Sequence, residues 1–250
     1  MSSVKAVETA ALSCLVFHAE RLEREDVWSK TDHLLRVLED KGIHSTVFVH
    51  PYSAIRSDID IRMRIQEILL RGHEVGQHTH YYAPTTGSGK PESDLTAANV
   101  RACLERDREY LARSGADPRG FTAGAWIEHP VASGWLREAG FAYDCTGRTF
   151  GLRSSAPNVD PDAGWNGPKM GDGLVGLPTT ASVTEAVREL PRRRSPTVEL
   201  DARTRYELIY LHDYDLLRRS VRMAARAVVR SRTSSWRTAA ELAATVRVPS

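Results

Sequence analysis

The sequence predicts an α/β fold in a single domain, built on one parallel sheet that is either closed or open. Three observations predict it. Short apolar strand patterns alternate with amphipathic helical patterns along most of the chain. Several of the helical patterns close on a glycine. The polar residues capable of chemistry gather where the strand patterns end, which is where parallel α/β folds place their working groups.

The elements follow in order. "ALSCLVFH" (Ala11–His18) reads as a buried strand. "SKTDHLLRVLEDKG" reads as a helix, with Leu34, Leu35, Val37 and Leu38 apolar and Gly42 at its end. "HSTVFVH" (His44–His50) is a second strand, stopped by Pro51. "DIDIRMRIQEILLRG" sets Ile61, Ile65, Ile68 and Leu69 on one helical face closed by Gly72. "HEVGQH" is a third strand, and "ESDLTAANVRACLERDREYLARSG" a long helix ended by Gly115. Strand "RGFTAGAW", helix "VASGWLREAG" and strand "FAYDCTG" come next. The Gly/Pro-rich stretch from Arg148 to Gly173 is too long for an idle connection and suits a substrate loop. "GLVGLP" and "YELIYLHDY" are two further strands. "LLRRSVRMAARAVVRSR" and the segment from Trp236 to Val246 are terminal helices. Neither a repeat nor a linker divides residues 1–250. The core is expected over about 11–215, with helices over 216–250.

Composition narrows the function classes. The 250 residues are 41% hydrophobic and 26% charged, so a buried core is expected and global disorder is not. A formal net charge of +2 is too small to point to nucleic acid or an acidic membrane. The 29 arginines against 5 lysines read as genome bias, and the run Pro191-Arg192-Arg193-Arg194 reads as a solvated loop. Cys14, Cys103 and Cys145 are odd in number and fit neither a disulfide framework nor a zinc knuckle. The first two belong to apolar patterns. Cys145 lies nearer the expected site and is a weak candidate nucleophile. The early apolar stretch Ala10–Phe17 is too short to span a membrane and lacks the flanks of a signal peptide. A cytoplasmic protein acting on a small molecule is expected, with no nucleic-acid or membrane partner.

The strand-end rule collects His18 and Glu20, His50, His78 and His80, Ala125 and Trp126, Asp144, and His212 with Asp213. "GHEVGQHTHYYAP" (Gly72–Pro84) is the densest stretch, holding His73, His78 and His80. His33, His44, His73 and His129 read as structural or surface residues.

These motifs resemble those of the polysaccharide deacetylase (NodB-homology) family over roughly residues 11–215. "GHEVGQHT" is close to the family's second motif, and "FHAE" stands where the family has a strand ending in paired acids. "GFTAGAW" resembles the third motif, "FAYDCTG" with "GLVGLPTT" the fourth, and "LIYLHDYDL" the fifth. The resemblance implies a distorted (β/α)7-type barrel. It also implies metal-dependent removal of acetyl groups from amino sugars, with a divalent ion, commonly zinc, that activates water and stabilises the oxyanion.

The departures from the family are specific. His18 stands at the position of the family's base aspartate. Glu20 corresponds to the metal-binding acid, one residue further along than the commonest spacing. Tyr82 stands where the second motif has its second histidine, and His80 lies between. On a strand His78, His80 and Tyr82 would share a face; on a helical turn His78 and Tyr82 would. Thr122 replaces the arginine that partners the base. That change accords with His18, because an arginine is harmful beside a histidine that must stay neutral.

The resemblance therefore implies Glu20, His78 and His80 as metal ligands, with His18 and Tyr82 as possible substitutes, and His18 and His212 as base and acid. Tyr82, Thr122, Trp126, Asp144 and Trp165 would contact substrate. Three functions fit: a cytoplasmic hydrolase deacetylating a small N-acetylated sugar; a metal-independent acid–base enzyme, such as a dehydratase, isomerase or cyclase; and a non-catalytic carbohydrate-binding homologue.

Overall fold

The computed structural model describes residues 12–84, 92–148, 170–171, 173–189, 198–199, 205–231 and 235–246. The chain enters on β1 (Leu12–Ala19), followed by α1 (Glu25–Glu39) and β2 (Thr46–Val49). Two helices, α2 (Tyr52–Ser57) and α3 (Arg62–Leu70), lead to β3 (Glu74–Thr79). Helix α4 (Ala97–Arg113) leads to β4 (Gly120–Ala123), a 3-10 turn at Gly124–Trp126, α5 (Pro130–Glu138) and β5 (Tyr143–Asp144). Next come β6 (Met170–Gly171), β7 (Leu174–Gly176), β8 (Ala181–Ser182), α6 (Val183–Glu189) and β9 (Val198–Glu199). The chain ends on β10 (Arg205–His212), a 3-10 turn at Asp213–Leu217, α7 (Arg219–Ser231), β11 (Ser235–Trp236) and α8 (Ala239–Val246).

One sheet runs β6-β7-β5-β4-β3-β2-β1-β10-β8, parallel from β7 to β8, with β6 and β9 antiparallel on their partners. It curls into the single-domain, barrel-like fold expected. The expected α/β alternation holds, with additions. Helix α2 begins directly after Pro51, and β8 with α6 fills the stretch before β10. Strands β5 and β7 are shorter than their apolar patterns, because register with a partner, and not hydrophobicity alone, decides how far a ladder runs. Most of the expected substrate loop, including Trp165, and the Arg192–Arg194 run lie outside the described residues. Among the described residues no helix is long and apolar enough to cross a membrane.

Alternation along each strand sorts side chains into two layers. On β1, Leu15, Phe17 and Ala19 join the helices in a large outer core with Leu35, Leu38, Ile65 and Ile68. Cys14 and Val16 point the other way, into the barrel interior with Phe48, Tyr143, Cys145, Tyr206 and Leu208. Burying each such large side chain contributes roughly 1.5–3 kcal/mol. Gly120 makes room for Tyr143, since a Cβ there would lie 2.0 Å from the tyrosine ring.

Helix α8 plugs the end of the barrel where the strands begin. Its Ala239, Leu242 and Ala243 complete the interior core. Its amino terminus is capped twice. Thr238 and Glu241 form a reciprocal capping box, each side chain accepting from the other's amide at 3.3 and 2.8 Å. The Ala239 amide donates to Thr46 Oγ1 (2.8 Å) and the Ala240 amide to Glu74 Oε2 (3.0 Å). Thr46 Oγ1 and Tyr143 Oη also donate to Glu74, at 2.7 and 2.6 Å. A carboxylate at a helix amino terminus also gains from the macrodipole.

Removing the phenol hydroxyl leaves Glu74 one donor short at this plug. Tyr143→Phe is expected to cost about 1–3 kcal/mol in denaturant-induced unfolding; an unchanged midpoint would show that the plug does not depend on this bond.

Candidate functional site

With the strand-start end plugged, the other end is open to chemistry. Each site residue is delivered by the end of a parallel strand. His18 is the next inward residue after Val16 on β1, and it pairs in register with His212 of β10 and Phe48 of β2. His50 follows β2, and its amide donates to the Ala19 carbonyl (2.9 Å). His78 lies on β3 in register with Thr122 of β4, and His80 leaves that strand one residue after its end.

Glu20 is the centre of the group. Its Oε1 lies 3.1 Å from His80 Nε2, 3.2 Å from His78 Nε2 and 3.7 Å from His212 Nε2. Asp213 holds the Glu20 segment in place, accepting from the Arg21 amide at 2.8 Å and the Tyr214 amide at 2.8 Å. Asp213 is fully buried, and burial lifts its carboxyl to about 7 against those amide hydrogen bonds. For Glu20 the balance runs the other way. Burial favours the neutral acid, but the close imidazoles of His78 and His80 outweigh it and hold the carboxyl far below the usual range.

The histidines are neutral for a common reason. Burial is the largest cause lowering the pKa values of His18, His78 and His80, and neighbouring imidazoles lower them further. Ring tautomers follow from the partners. His78 Nδ1 faces the Thr122 carbonyl at 3.0 Å, so it carries the proton. Its Nε2 then turns a lone pair toward the Glu20 carboxylate. Two acceptors facing each other at 3.2 Å need a proton or a cation between them.

Glu20, His78 and His80 offer ligand atoms that all lie within 4.8 Å of one another. One carboxylate oxygen and two imidazole nitrogens are a suitable donor set for a divalent ion with an open position. The residues present therefore fit the divalent metal that the resemblance implies.

Tyr82 lies beside that set. Its ring stacks on His80 with centroids 5.0 Å apart, and burial pushes its phenol up to about 12. His80 reaches inward in its stead. Gly124 allows this, because a Cβ there would lie 2.2 Å from His80 Cγ.

Around this group stand residues with no metal-facing role. His18 is 2% exposed, and its Nε2 has no hydrogen-bond partner. Its ring lies 4.7 Å from that of His78, 5.0 Å from Tyr210, and 5.7 Å from both Trp126 and His212. Trp126 reaches it from a turn in which Ala125 and Trp126 both have positive φ, a costly backbone for residues with side chains. His212 Nδ1 faces Asp215 Oδ2 at 3.3 Å, and that oxygen also accepts from Thr184 Oγ1 at 2.9 Å. Burial would raise Asp215, but these two bonds hold it below the usual carboxylate range.

The remaining sequence expectations divide. Thr122 turns inward and is buried, and its carbonyl anchors His78, so it supports the site through backbone as well as position. Asp144 does not join the group. It is in register with Phe121, on the outer face of the sheet, and Thr146 binds it there through its amide (2.8 Å) and hydroxyl (2.5 Å). Cys145 is a core thiol, fully buried, and burial raises its pKa well above normal, which removes it as a nucleophile. His50 matters more than its sequence suggested. Its Nδ1 donates to the His78 carbonyl (3.1 Å), Asp107 lies 3.6 Å away, and its ring lies 4.8 Å from that of His80. The available signal was its place one residue past β2. Asp215 and Tyr210 carried no such signal.

A parallel barrel-like sheet with an acid and two histidines at its strand ends accords with a deacetylase-type fold. Residues 25–125 match the family model for polysaccharide deacetylase. A protein from Mycobacterium smegmatis assigned to the polysaccharide deacetylases is similar at 19% identity and TM-score 0.61, over 99% of this chain and 93% of that one. A family 4 carbohydrate esterase pseudoenzyme from Bacillus anthracis is similar at 10% identity and TM-score 0.57, over 94% and 66%. The peptidoglycan deacetylase PdaC from Bacillus subtilis is similar at 12% identity and TM-score 0.52, over 96% and 92%. At these identities the likeness is one of fold. No curated protein matches the sequence.

Gly124→Ala should force the His80 ring away from Glu20. The expected cost is about 1–3 kcal/mol of stability, as for other overpacked sites. The His80 ring resonances should shift while those of His73, bound to Glu39 elsewhere, stay in place; an unmoved His80 would refute the close-approach argument.

Proposed function

We propose that the protein is a metal-dependent hydrolase that removes an acetyl group from a small N-acetylated sugar or sugar-bearing metabolite. The observation that carries this reading is the convergence of Glu20, His78 and His80, with the His78 lone pair directed at a carboxylate. The family match over residues 25–125 supports acyl hydrolysis as the reaction class. The cytoplasmic setting expected from the sequence belongs to the same proposal.

In this reading Glu20, His78 and His80 hold the ion, with zinc the best suited to a carboxylate and two imidazoles. When bound, a divalent ion supplies Lewis acidity toward an acyl carbonyl and toward water. His18 is a neutral imidazole with a free Nε2 and can take a proton from the attacking water there. His212, oriented through Nδ1 by Asp215, presents Nε2 toward Glu20 and can deliver a proton to the departing amine. Trp126 and Tyr210 flank His18 and restrict water around it.

A second reading has one observation in its favour. His18 and His212 face each other at 5.7 Å, and neither belongs to the acid–histidine–histidine group. Such a pair could run acid–base chemistry by itself. Fold does not imply turnover, so the test reads metal and product directly.

Protein purified without chelator is expected to hold about one divalent ion by elemental analysis, as a three-ligand site requires, and to release acetate from N-acetylated sugars. Activity that survives chelation would reject the hydrolase in favour of the second reading. Glu20→Gln should lose the ion. His212→Asn should keep the ion and lose roughly 10²–10⁴-fold in turnover, the usual worth of a general acid.

Metal loading should also depend on pH with a definite sign. The ligand histidines have pKa values below 6.5, so they are neutral at pH 7 and loading is full there and above. Loading should fall as pH drops below 6.5 and the rings take up protons, while Glu20 stays ionised. Loading that rises on acidification would exclude histidine ligation.

A further inference from the structure

The wall that carries the histidine group has a second polar feature on its other face. Strands β4 and β5 turn Tyr143 toward the barrel axis and Phe121 and Ala123 outward, and Asp144 shares the outward face. Against that outer face, beside α5, lies a cavity of about 270 Å³. Phe121, Leu174 and Leu177 give it an apolar lining, Tyr81 and Asp144 reach it as polar groups, and Glu128 also borders it.

The two polar groups have unmet capacity. Tyr81 is 2% exposed, and its hydroxyl has no hydrogen-bond partner. Asp144 uses Oδ1 to accept both bonds from Thr146. Among the described residues no lysine, arginine or histidine forms an ion pair with Asp144. Burial lifts its carboxyl to about 6 against the Thr146 bonds, and the like charge of Glu128 adds to the rise. Arg137 also borders the cavity, but it is exposed and donates to the Ser133 carbonyl at 3.4 Å. A buried phenol hydroxyl without a partner is costly unless something binds there, and Asp144, a carboxylate without a cation, borders the same small space.

We propose that this cavity is a binding site for a small primary ammonium compound. Asp144 supplies the counter-charge, the Tyr81 hydroxyl accepts a further N–H, and Phe121, Leu174 and Leu177 cover the apolar body of the ligand. The volume lies just under the usual range for small-molecule pockets, which suits a single six-membered ring and not a polymer. The site lies across the sheet wall from Glu20, His78 and His80, so it stands independently of the hydrolase reading.

The test is an NMR titration of the full chain with cyclohexylamine, which is protonated at neutral pH as lysine is, and with cyclohexanol as its uncharged match. Cyclohexylamine is expected to saturate with Kd about 1 mM or tighter, shifting the Ala132 and Leu174 methyl signals. Cyclohexanol should bind at least roughly tenfold more weakly. Asp144→Asn, which keeps an acceptor for Thr146, should remove that difference by weakening the amine. Ser133→Phe, which narrows the cavity from α5, should weaken both ligands and guards against a folding defect in the first variant. His78→Ala should leave amine affinity as it is. Equal affinity for amine and alcohol would overturn the proposal. So would unchanged amine affinity in Asp144→Asn, loss of binding only in His78→Ala, or no saturation by ~10 mM amine.

Discussion

At the open end of the barrel a single carboxylate, Glu20, faces three imidazole Nε2 atoms, those of His78, His80 and His212, at 3.1–3.7 Å. This is the interaction on which the rim depends. Burial alone would neutralise the acid and leave the histidines with no reason to converge. The carboxylate keeps its charge because the close imidazoles of His78 and His80 outweigh desolvation. The outer residues then serve to hold these few atoms still. Asp213 ties down the backbone carrying Glu20, Thr122 turns the His78 ring, and Gly124 makes space for His80. His50 in turn secures the His78 backbone.

The two ends of the barrel follow the same physical rule with different outcomes. Both bury a glutamate among hydrogen-bond donors. At the strand-start end Glu74 accepts from Tyr143, Thr46 and the amide of Ala240, so its capacity is spent within the fold. That end is a structural plug. At the strand-finish end Glu20 faces imidazoles that can carry a proton or give up a lone pair, so its surroundings stay chemically open. Parallel sheets tend toward this asymmetry, because successive crossovers bring loop residues together beyond the carboxyl ends of the strands.

The departures from the deacetylase motifs also make physical sense together. An imidazole at position 18 would be forced toward one protonation state by a neighbouring guanidinium, and Thr122 stands in register with His78 where the family has that arginine. Position 82 holds a tyrosine, and His80, stacked against it, brings an imidazole nitrogen to Glu20 from two residues earlier. That approach needs a residue without a side chain at Gly124, inside a turn whose next two residues have positive φ. The strain of that turn accompanies the placement of both His80 and Trp126.

Much of this was legible in the sequence. Alternating apolar patterns mark nearly every strand and helix, and the strand-end rule gathers His18, Glu20, His78, His80 and His212. A period of two also says which residues of one strand share a face. It does not say which face of a strand end looks into the barrel, nor how the chain turns once the strand stops. Asp144 shows the first gap: it ends its strand as expected, yet it faces outward toward α5. His80 and Tyr82 show the second, because the backbone between Thr79 and Tyr82 leaves the ladder, and packing against Gly124 decides which ring turns inward. The sequence by itself determined the parallel α/β architecture and the inventory of rim groups, since both follow from local periodicity. Only the tertiary structure decided which groups share a site and which nitrogen faces which oxygen, since those depend on contacts between residues far apart in the chain.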